Sequence, residues 1–233
     1  TIASEKVVYI ESSDNYCIIK YINNMRVSQK LLIILTAFLL LGLTAQCTTN
    51  SNEVEEVEIP LDSICVGDIA FRRGEGFASN MVVYHDIDGQ YSHVGIVAMS
   101  DSGLVIVHAV PGALPNQSGS DIVRAEKVNE FYASWQSKRG AIMRMPLDSM
   151  QQELLNQWAL EKAQQRVKFD HEYELSDTTL LYCTELLQLL YEKIGIDLSQ
   201  GRRTDITFPG LTNKYIMPSD IYKNENLTTI FQY

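Results

Sequence analysis

The chain has 233 residues, of which 45% are hydrophobic and 21% are charged, and this composition is typical of a globular protein with one sizeable core. The formal net charge of −10 argues against a nucleic-acid partner, because phosphate binding requires a basic face. The four cysteines are too few for a disulfide scaffold.

The first residues of the chain differ in character from the rest. Residues 1–24 alternate like two short strands around the turn sequence SSDN. The segment resembles one hairpin of the LytTR-type DNA-binding domains, which is too little for a working domain. We therefore expect a non-native upstream segment without a function of its own.

Residues 25–47 have the pattern of a secretory signal. Met25 is followed by two basic residues and by an apolar run, Leu31–Ala45, that is short for a membrane span of about 20 residues. Cys47 resembles the lipidated cysteine of a bacterial lipoprotein signal, although Gln46 stands where a small residue is expected. The alternative is a buried core helix. The signal predicts export to the cell envelope or periplasm, with membrane contact only through a lipid anchor.

A single folded domain is expected to follow the signal. Residues 48–58 form an acidic sequence that predicts a flexible tether, so the domain is expected to span residues 59–233. Alternating and helical apolar spacing predicts strands over 68–73, 93–100, 103–110 and 141–146, and helices over 148–166 and 178–195. Because the strands cluster in the first half and the helices in the second, the pattern favours an α+β fold over alternating βαβ units.

Cys183 lies near the start of the second predicted helix. Asp177, Thr178 and Thr179 are candidate capping residues, which would place Cys183 within the first turns. A helix N-terminus and a nearby imidazolium both favour the thiolate, which is the attacking species. Cys183 is therefore a candidate nucleophile, and the alternative is a buried cysteine that only fills space.

Two histidines lie on the predicted strands 93–100 and 103–110. If these strands form a hairpin through the DSG turn, His93 and His108 fall at its open end, roughly across from each other. A second polar group in that place can hold the tautomer and orientation of the first ring. The alternatives are a hydrogen-bonded structural histidine at position 93 and a strand-end polar residue at position 108.

The order of these motifs resembles a known family. The resemblance spans about residues 61–222 and is carried by VGDIAFRRG, YSHVGIV, VIVHAVPG, KFDHEYEL, LYCTELLQLLYEK and MPSDIY. These resemble the circularly permuted NlpC-type papain-like cysteine hydrolases, especially the YiiX-like branch. The resemblance implies a permuted papain-like fold, with an antiparallel sheet or small barrel packed against helices.

The resemblance also implies the roles of the three residues. Cys183 is the implied nucleophile, His93 the general base and His108 the third, orienting member, where relatives often carry an acidic or other polar residue. The implied reaction is acyl transfer through a thioester. Either His93 takes the thiol proton, or the pair rests as thiolate and imidazolium.

Other residues receive weaker assignments. Tyr91 and Tyr182 flank the catalytic positions and are candidates for substrate binding, with packing as the alternative. Asp170, in KFDHEY, is expected to close the cleft or contact substrate, with the capping of a turn as the alternative. His85 and His171 are expected on the surface, and Cys65 is expected to pack.

No cofactor or metal is expected, because the chain has no HExxH pattern, no paired-cysteine motif and no glycine-rich phosphate loop. Three functions remain open. The first is a peptidase or amidase acting on peptidoglycan peptides. The second is a lipid-directed acyl hydrolase or acyltransferase, with residues 76–86 lining an apolar cleft. The third is a non-catalytic envelope binding protein. A deep apolar groove beside Cys183 would favour the second, and an open polar groove the first.

Overall fold

The computed structural model describes residues 57–86, 88–111, 121–175, 178–208 and 211–233. The predictions for residues 1–24, for the signal at 25–47 with Cys47, and for all but the end of the tether at 48–58 lie outside these residues. Val54–Tyr233 form one compact unit, and all the elements named below belong to it. In the described part of the chain, no helix combines the length and apolar character needed to cross a bilayer.

The main sheet has six strands, and every neighbouring pair is antiparallel. Its order is β4-β3-β2-β1-β5-β8, and β6 and β7 form a separate two-stranded hairpin. The strands are β1 Ile69–Arg73, β2 His93–Ser100, β3 Gly103–Val110, β4 Ile122–Lys127, β5 Arg139–Arg144, β6 Thr204–Phe208, β7 Leu211–Tyr215 and β8 Thr228–Gln232.

The helices lie between and after these strands. They are α1 Phe77–His85, α2 Val128–Phe131, α3 Ser149–Gln164, α4 Cys183–Glu192 and α5 Pro218–Tyr222, and a short 3₁₀ turn covers Leu61–Ser63. The predicted α+β class, with an antiparallel sheet packed against helices, is therefore confirmed.

The sheet is covered on both faces, because successive strand residues point to opposite sides. One face, which includes Val94 and Ile96, packs against Leu155 of α3 and several residues of α4. The other face, which includes Val97, packs against Phe131 of α2 and other buried residues. Seven of the ten residues of α4 are buried. Each fully buried leucine there contributes roughly 1.5–3 kcal/mol, so packing holds α4, and with it Cys183, firmly against the sheet.

The first predicted helix is confirmed with small differences at its ends. Residues 148–166 were expected, and α3 spans Ser149–Gln164. Asp148 caps it, because its carboxylate accepts the Gln151 N–H at 2.8 Å and the Gln151 side chain accepts the Asp148 N–H at 3.0 Å. The strand predicted over 141–146 is displaced to 139–144.

The predicted start of the second helix is wrong. Residues 178–195 were expected, but α4 begins at Cys183, with Tyr182 as its N-cap. Leu181 explains the difference, because its N–H and carbonyl groups hydrogen-bond to the backbone of Lys168 and Asp170. Because the N–H and carbonyl groups of Leu181 already hydrogen-bond to a distant segment, they are not available for hydrogen bonds within the helix. Thr178 and Thr179 therefore do not cap α4, and the Asp177 cap lies outside the described residues.

Candidate active site

Cys183 is the first residue of α4, and its half-buried thiol lines a cavity. The first N–H groups of a helix have no partner within the helix, so they are available to a group at its start. Burial raises the pKa of the Cys183 thiol to about 11, although the backbone N–H groups of Val94, Thr184 and Cys183 itself favour the thiolate. The N–H groups at the helix start act in the expected direction, but desolvation is the larger effect, so the pKa of the thiol is raised overall.

The contact with Val94 places the thiol beside the start of β2. The register between β2 and β3 runs from Ile96 opposite Val107 to Ser100 opposite Gly103. His93 and Val94 precede this register and are held by β1 on their other side. The thiol therefore approaches the sheet at Val94, the residue that follows His93 and lies just before the paired part of β2 and β3.

The two predicted histidines are in direct contact. Nε2 of His93 lies 2.7 Å from Nδ1 of His108, and the rings are nearly perpendicular. They are diagonal neighbours across the strands and are not directly opposite. Gly95 permits this approach, because an added Cβ would lie 3.0 Å from Cβ of His108 and 2.5 Å from Cγ2 of Ile106.

Glu126 extends this contact and was missed by the sequence analysis. Its Oε2 lies 3.1 Å from Nε2 of His108, and Nη1 of Arg72 lies 3.6 Å from the same oxygen. Its Oε1 accepts from Gln136 at 3.3 Å and lies 3.5 Å from Nη2 of Arg124. Glu126 lies on β4, which was not predicted, and no motif in the sequence marks it.

The charges of this group follow from its burial. Burial lowers the pKa of His93 well below its usual range and that of His108 to about 4. Burial alone would raise the pKa of Glu126, but hydrogen bonds from His108 and Gln136 and the charge of Arg72 lower it to about 2. At neutral pH both imidazoles are therefore neutral and Glu126 is anionic. Of the two resting states left open by the sequence, the thiol with a neutral imidazole is the one that these pKa values favour.

The cavity beside Cys183 has a volume of about 190 Å³, and its wall is almost entirely apolar. Its apolar lining includes Met81, Val82, Tyr173, Ile216, Met217 and Pro218. The segment 76–86, expected to line an apolar cleft, contributes through α1. His85 is partly exposed and also lies on this wall, and His171 is exposed as expected.

The three residues assigned to substrate binding occupy different places. Tyr182 lines the cavity, with its hydroxyl accepting the Ile216 N–H at 3.3 Å. Tyr91 is buried among Phe71, Tyr222 and the Gln232 side chain, which matches the packing alternative.

Asp170 is also buried, and both of its carboxylate oxygens accept backbone N–H groups. Glu172 donates to one at 2.9 Å and Glu174 to the other at 2.6 Å. This is the turn-capping alternative. Of the three, Tyr182 alone is among the residues that the structure places on the cavity wall.

The donor groups near Cys183 do not fit a metal ion. Within the described ranges, no group of three or more His, Cys, Asp or Glu side chains is arranged to hold one. The facing nitrogens of His93 and His108 are already joined by a hydrogen bond. The thiol, the two imidazoles and the Glu126 carboxylate are the reactive groups described at this site.

Comparisons with known proteins identify a similar fold. No family model and no curated protein matches the chain. The solved structure of YiiX from Escherichia coli O157:H7, described as a metalloprotein, is 18% identical, and the match covers 73% of this chain and 98% of YiiX with a TM-score of 0.60. At this identity the likeness shows the fold alone. The YiiX-like resemblance seen in the sequence is thereby confirmed for the fold: this chain has the α+β architecture of YiiX.

Proposed function

We propose that the protein is a cysteine hydrolase that works by acyl transfer. The observation that carries the proposal is a thiol at the first residue of a helix that lines a cavity and contacts the backbone of Val94, the residue after His93, whose ring is in contact with His108. Nucleophile, base and orienting group are the three parts that thiol hydrolases require.

The proposed reaction begins from the neutral pair. His93 takes the proton of the Cys183 thiol as the sulfur attacks a carbonyl carbon, so that the charge develops only in the transition state. The oxyanion is stabilised by the backbone N–H groups of Cys183 and Thr184, which point toward the sulfur in the free protein. His93 then protonates the leaving alcohol or amine, and a thioester remains on Cys183. Water, deprotonated by His93, hydrolyses the thioester and restores the thiol.

The cavity supports an apolar acyl group as the substrate's reacting end. Its volume of about 190 Å³ exceeds the roughly 150 Å³ of dry apolar cavities that bind benzene-sized molecules. A peptidoglycan peptide carries charged and amide groups that this wall cannot hydrogen-bond, and burying them unpaired is costly. Of the two substrate classes that the sequence left open, the apolar cavity favours the lipid or acyl class.

Chain-length dependence tests both the activity and the substrate class. We expect kcat/KM for p-nitrophenyl esters to rise about fourfold per added methylene until the cavity is full, because each buried methylene contributes about 0.8 kcal/mol. Val82→Trp, which fills the cavity from α1, should remove this dependence. Val83→Trp, on the same helix but outside the cavity lining, is the matched control.

The catalytic assignment is tested in the same assay. Cys183→Ala and His93→Ala should each lower kcat by roughly 10²–10⁴-fold. Cys65→Ala and His171→Ala are the matched controls, since Cys65 does not line the cavity and His171 is exposed. Turnover of muropeptides and not of esters would restore the peptidase hypothesis. Turnover of neither, with ligand binding retained, would leave the non-catalytic envelope protein.

The proposed location is the cell envelope. The signal-like segment at 25–47 supports export, and Cys47 supports attachment to a membrane by a lipid. An apolar acyl substrate is compatible with that setting, because lipids are concentrated at the membrane. Mass spectrometry of the mature N-terminus tests the proposal, and a chain that retains residues 25–47 unmodified would contradict it.

A further inference from the structure

A buried chain of polar groups crosses the strands β2, β3 and β4. His93 contacts His108 at 2.7 Å, and His108 contacts Glu126 at 3.1 Å. His108 is fully buried, and the Glu126 side chain is 11% exposed. Within the described residues, neither Nε2 of His108 nor Oε2 of Glu126 makes a hydrogen bond of normal geometry. Because unpaired buried polar atoms are costly, their 3.1 Å approach is the contact that satisfies both atoms when a proton on Nε2 of His108 points at the carboxylate.

The protonation of this chain follows from its last member. An ionised carboxylate can only accept hydrogen bonds, so the proton of neutral His108 must be on Nε2. Nδ1 of His108 is then bare and accepts from Nε2 of His93. A neutral imidazole carries one N–H, which leaves Nδ1 of His93 bare.

We infer that Glu126 is a positioning residue that acts through His108 to select the His93 tautomer in which Nδ1 carries the free lone pair. In the opposite arrangement His108 donates from Nδ1 to His93, and a bare Nε2 of His108 faces the Glu126 carboxylate. Two acceptors would then be buried in contact, and His93 would be protonated on Nδ1. That tautomer has no free lone pair with which to take a proton from a thiol.

The surroundings of Glu126 hold its carboxylate in place. Arg72 and Arg124 flank it with positive charge, and Gln136 donates to its other oxygen. Arg72 is itself fixed, because it donates to the Phe131 carbonyl at 2.9 Å and lies 4.3 Å above the Phe131 ring. The acceptor that selects the tautomers is therefore held from β1, from its own strand β4 and from the turn that precedes β5.

The catalytic consequence rests on the proposed function, but the tautomers do not, and the test separates the two. Ring ¹⁵N NMR of the full chain at pH 7 distinguishes protonated from bare histidine nitrogens. We expect His93 and His108 both to be protonated on Nε2, in the wild type and in Cys183→Ala. A wild type with His93 protonated on Nδ1 would overturn the inference, whether or not the protein hydrolyses esters.

Variants of Glu126 provide the second arm. In Glu126→Gln the side chain keeps its size but can turn an NH₂ toward His108, so protonation of His93 on Nδ1 should appear and kcat should fall at least about tenfold with KM unchanged. Glu126→Leu removes the acceptor altogether and should lower kcat further than Glu126→Gln. Glu130→Gln, on the exposed surface, is the control and should keep the wild-type tautomers. Unchanged His93 and His108 tautomers in folded Glu126→Gln and Glu126→Leu would overturn the inference. A wild type without activity but with the expected tautomers would contradict the proposed function alone.

Discussion

The surroundings of Cys183 and of His93, the two sides of the candidate site, differ in polarity. On the Cys183 side the surroundings are an apolar cavity, and desolvation raises the pKa of the thiol to about 11. On the His93 side a carboxylate and two arginines surround neutral imidazoles through a chain of polar contacts. The sulfur is thus kept protonated, and the groups that orient His93, its proposed base, are already in place. Activation in the proposed mechanism therefore depends on proton transfer during the attack.

The reactivity of Cys183 provides the most direct test of this difference, because it reports whether the thiol is protonated. With a pKa of about 11, the thiol is only about one-thousandth ionised at pH 8. We expect iodoacetamide to label it roughly tenfold to 10²-fold more slowly than free cysteine at that pH, because the greater nucleophilicity of a basic thiolate offsets only part of the loss.

The labelling rate, followed by mass spectrometry of the Cys183 peptide, should still be rising between pH 9 and pH 10. Cys183→Ser identifies the background from other cysteines. A rate that is already constant below pH 7 would indicate a thiolate–imidazolium pair and would contradict the resting state described for the site. Slow labelling also means that this reagent cannot separate an enzyme from a non-catalytic relative, whereas trapping the thioester can.

Gly95 offers a way to disturb the histidine side and leave the cavity intact. In Gly95→Ala the new Cβ would lie within 3.0 Å of both His108 and Ile106, so β2 and β3 must shift. We expect a loss of about 1–3 kcal/mol in the free energy of unfolding and at least a tenfold loss of kcat.

Gly76→Ala is the control, because a Cβ there meets no atom within 4 Å. Gly76 precedes α1, so its loss should stay below about 1 kcal/mol, the size of a cap preference. Stability is measured by urea unfolding and activity by ester hydrolysis. Equal losses in the two variants would mean that the close approach of β2 and β3 does not position the histidines.

Acid should lower the free energy of unfolding, because the buried histidines bind protons less readily in the folded protein than in the unfolded chain. The pKa of His108 is about 4 in the folded protein and about 6.5 in the unfolded chain. Below pH 6.5 the unfolded chain takes up a proton that the folded protein does not, so stability falls as the pH drops from about 6.5 to 4. At pH 5 the loss from His108 should be roughly 2 kcal/mol relative to pH 7. His93 acts in the same direction, and Glu126 adds a further loss between about pH 4.5 and 2.

Urea unfolding at pH 7 and pH 5 measures this dependence. His108→Gln should lose less stability over that interval than the wild type, although it is less stable at pH 7. His171→Gln, which alters an exposed histidine, should follow the wild type. A pH dependence in His108→Gln as steep as in the wild type would show that His108 is not buried as a neutral group.

The sequence predicts those parts of the fold that depend on residues close together along the chain. The bounds of β2 and β3 are predicted to the residue, because both alternate strongly and the DSG turn ends in Gly103, whose φ of +106° suits glycine. The Asp148 cap of α3 depends on local chemistry of the same kind. The start of α4 does not, because the backbone of Leu181 is committed to residues 168–170.

Glu126 shows why part of the site is hidden from sequence reasoning. Its strand, β4, lies at the edge of the sheet, and its apolar alternation is limited to Val123 and Ala125 between charged residues, which is too short to mark a strand. Only its pairing with β3 defines it as a strand and brings Glu126 to His108.

By itself, the sequence determined the α+β class, the hairpin that carries His93 and His108, and the presence of a cysteine near a helix start. These depend on periodicity, turn residues and caps, which act over a few positions along the chain. The tertiary structure decided that the helix begins at Cys183, that the thiol is desolvated by an apolar cavity, and that Glu126 completes the polar chain. Burial and protonation are set by groups from distant segments meeting in space, and a single sequence does not encode those meetings in any local pattern.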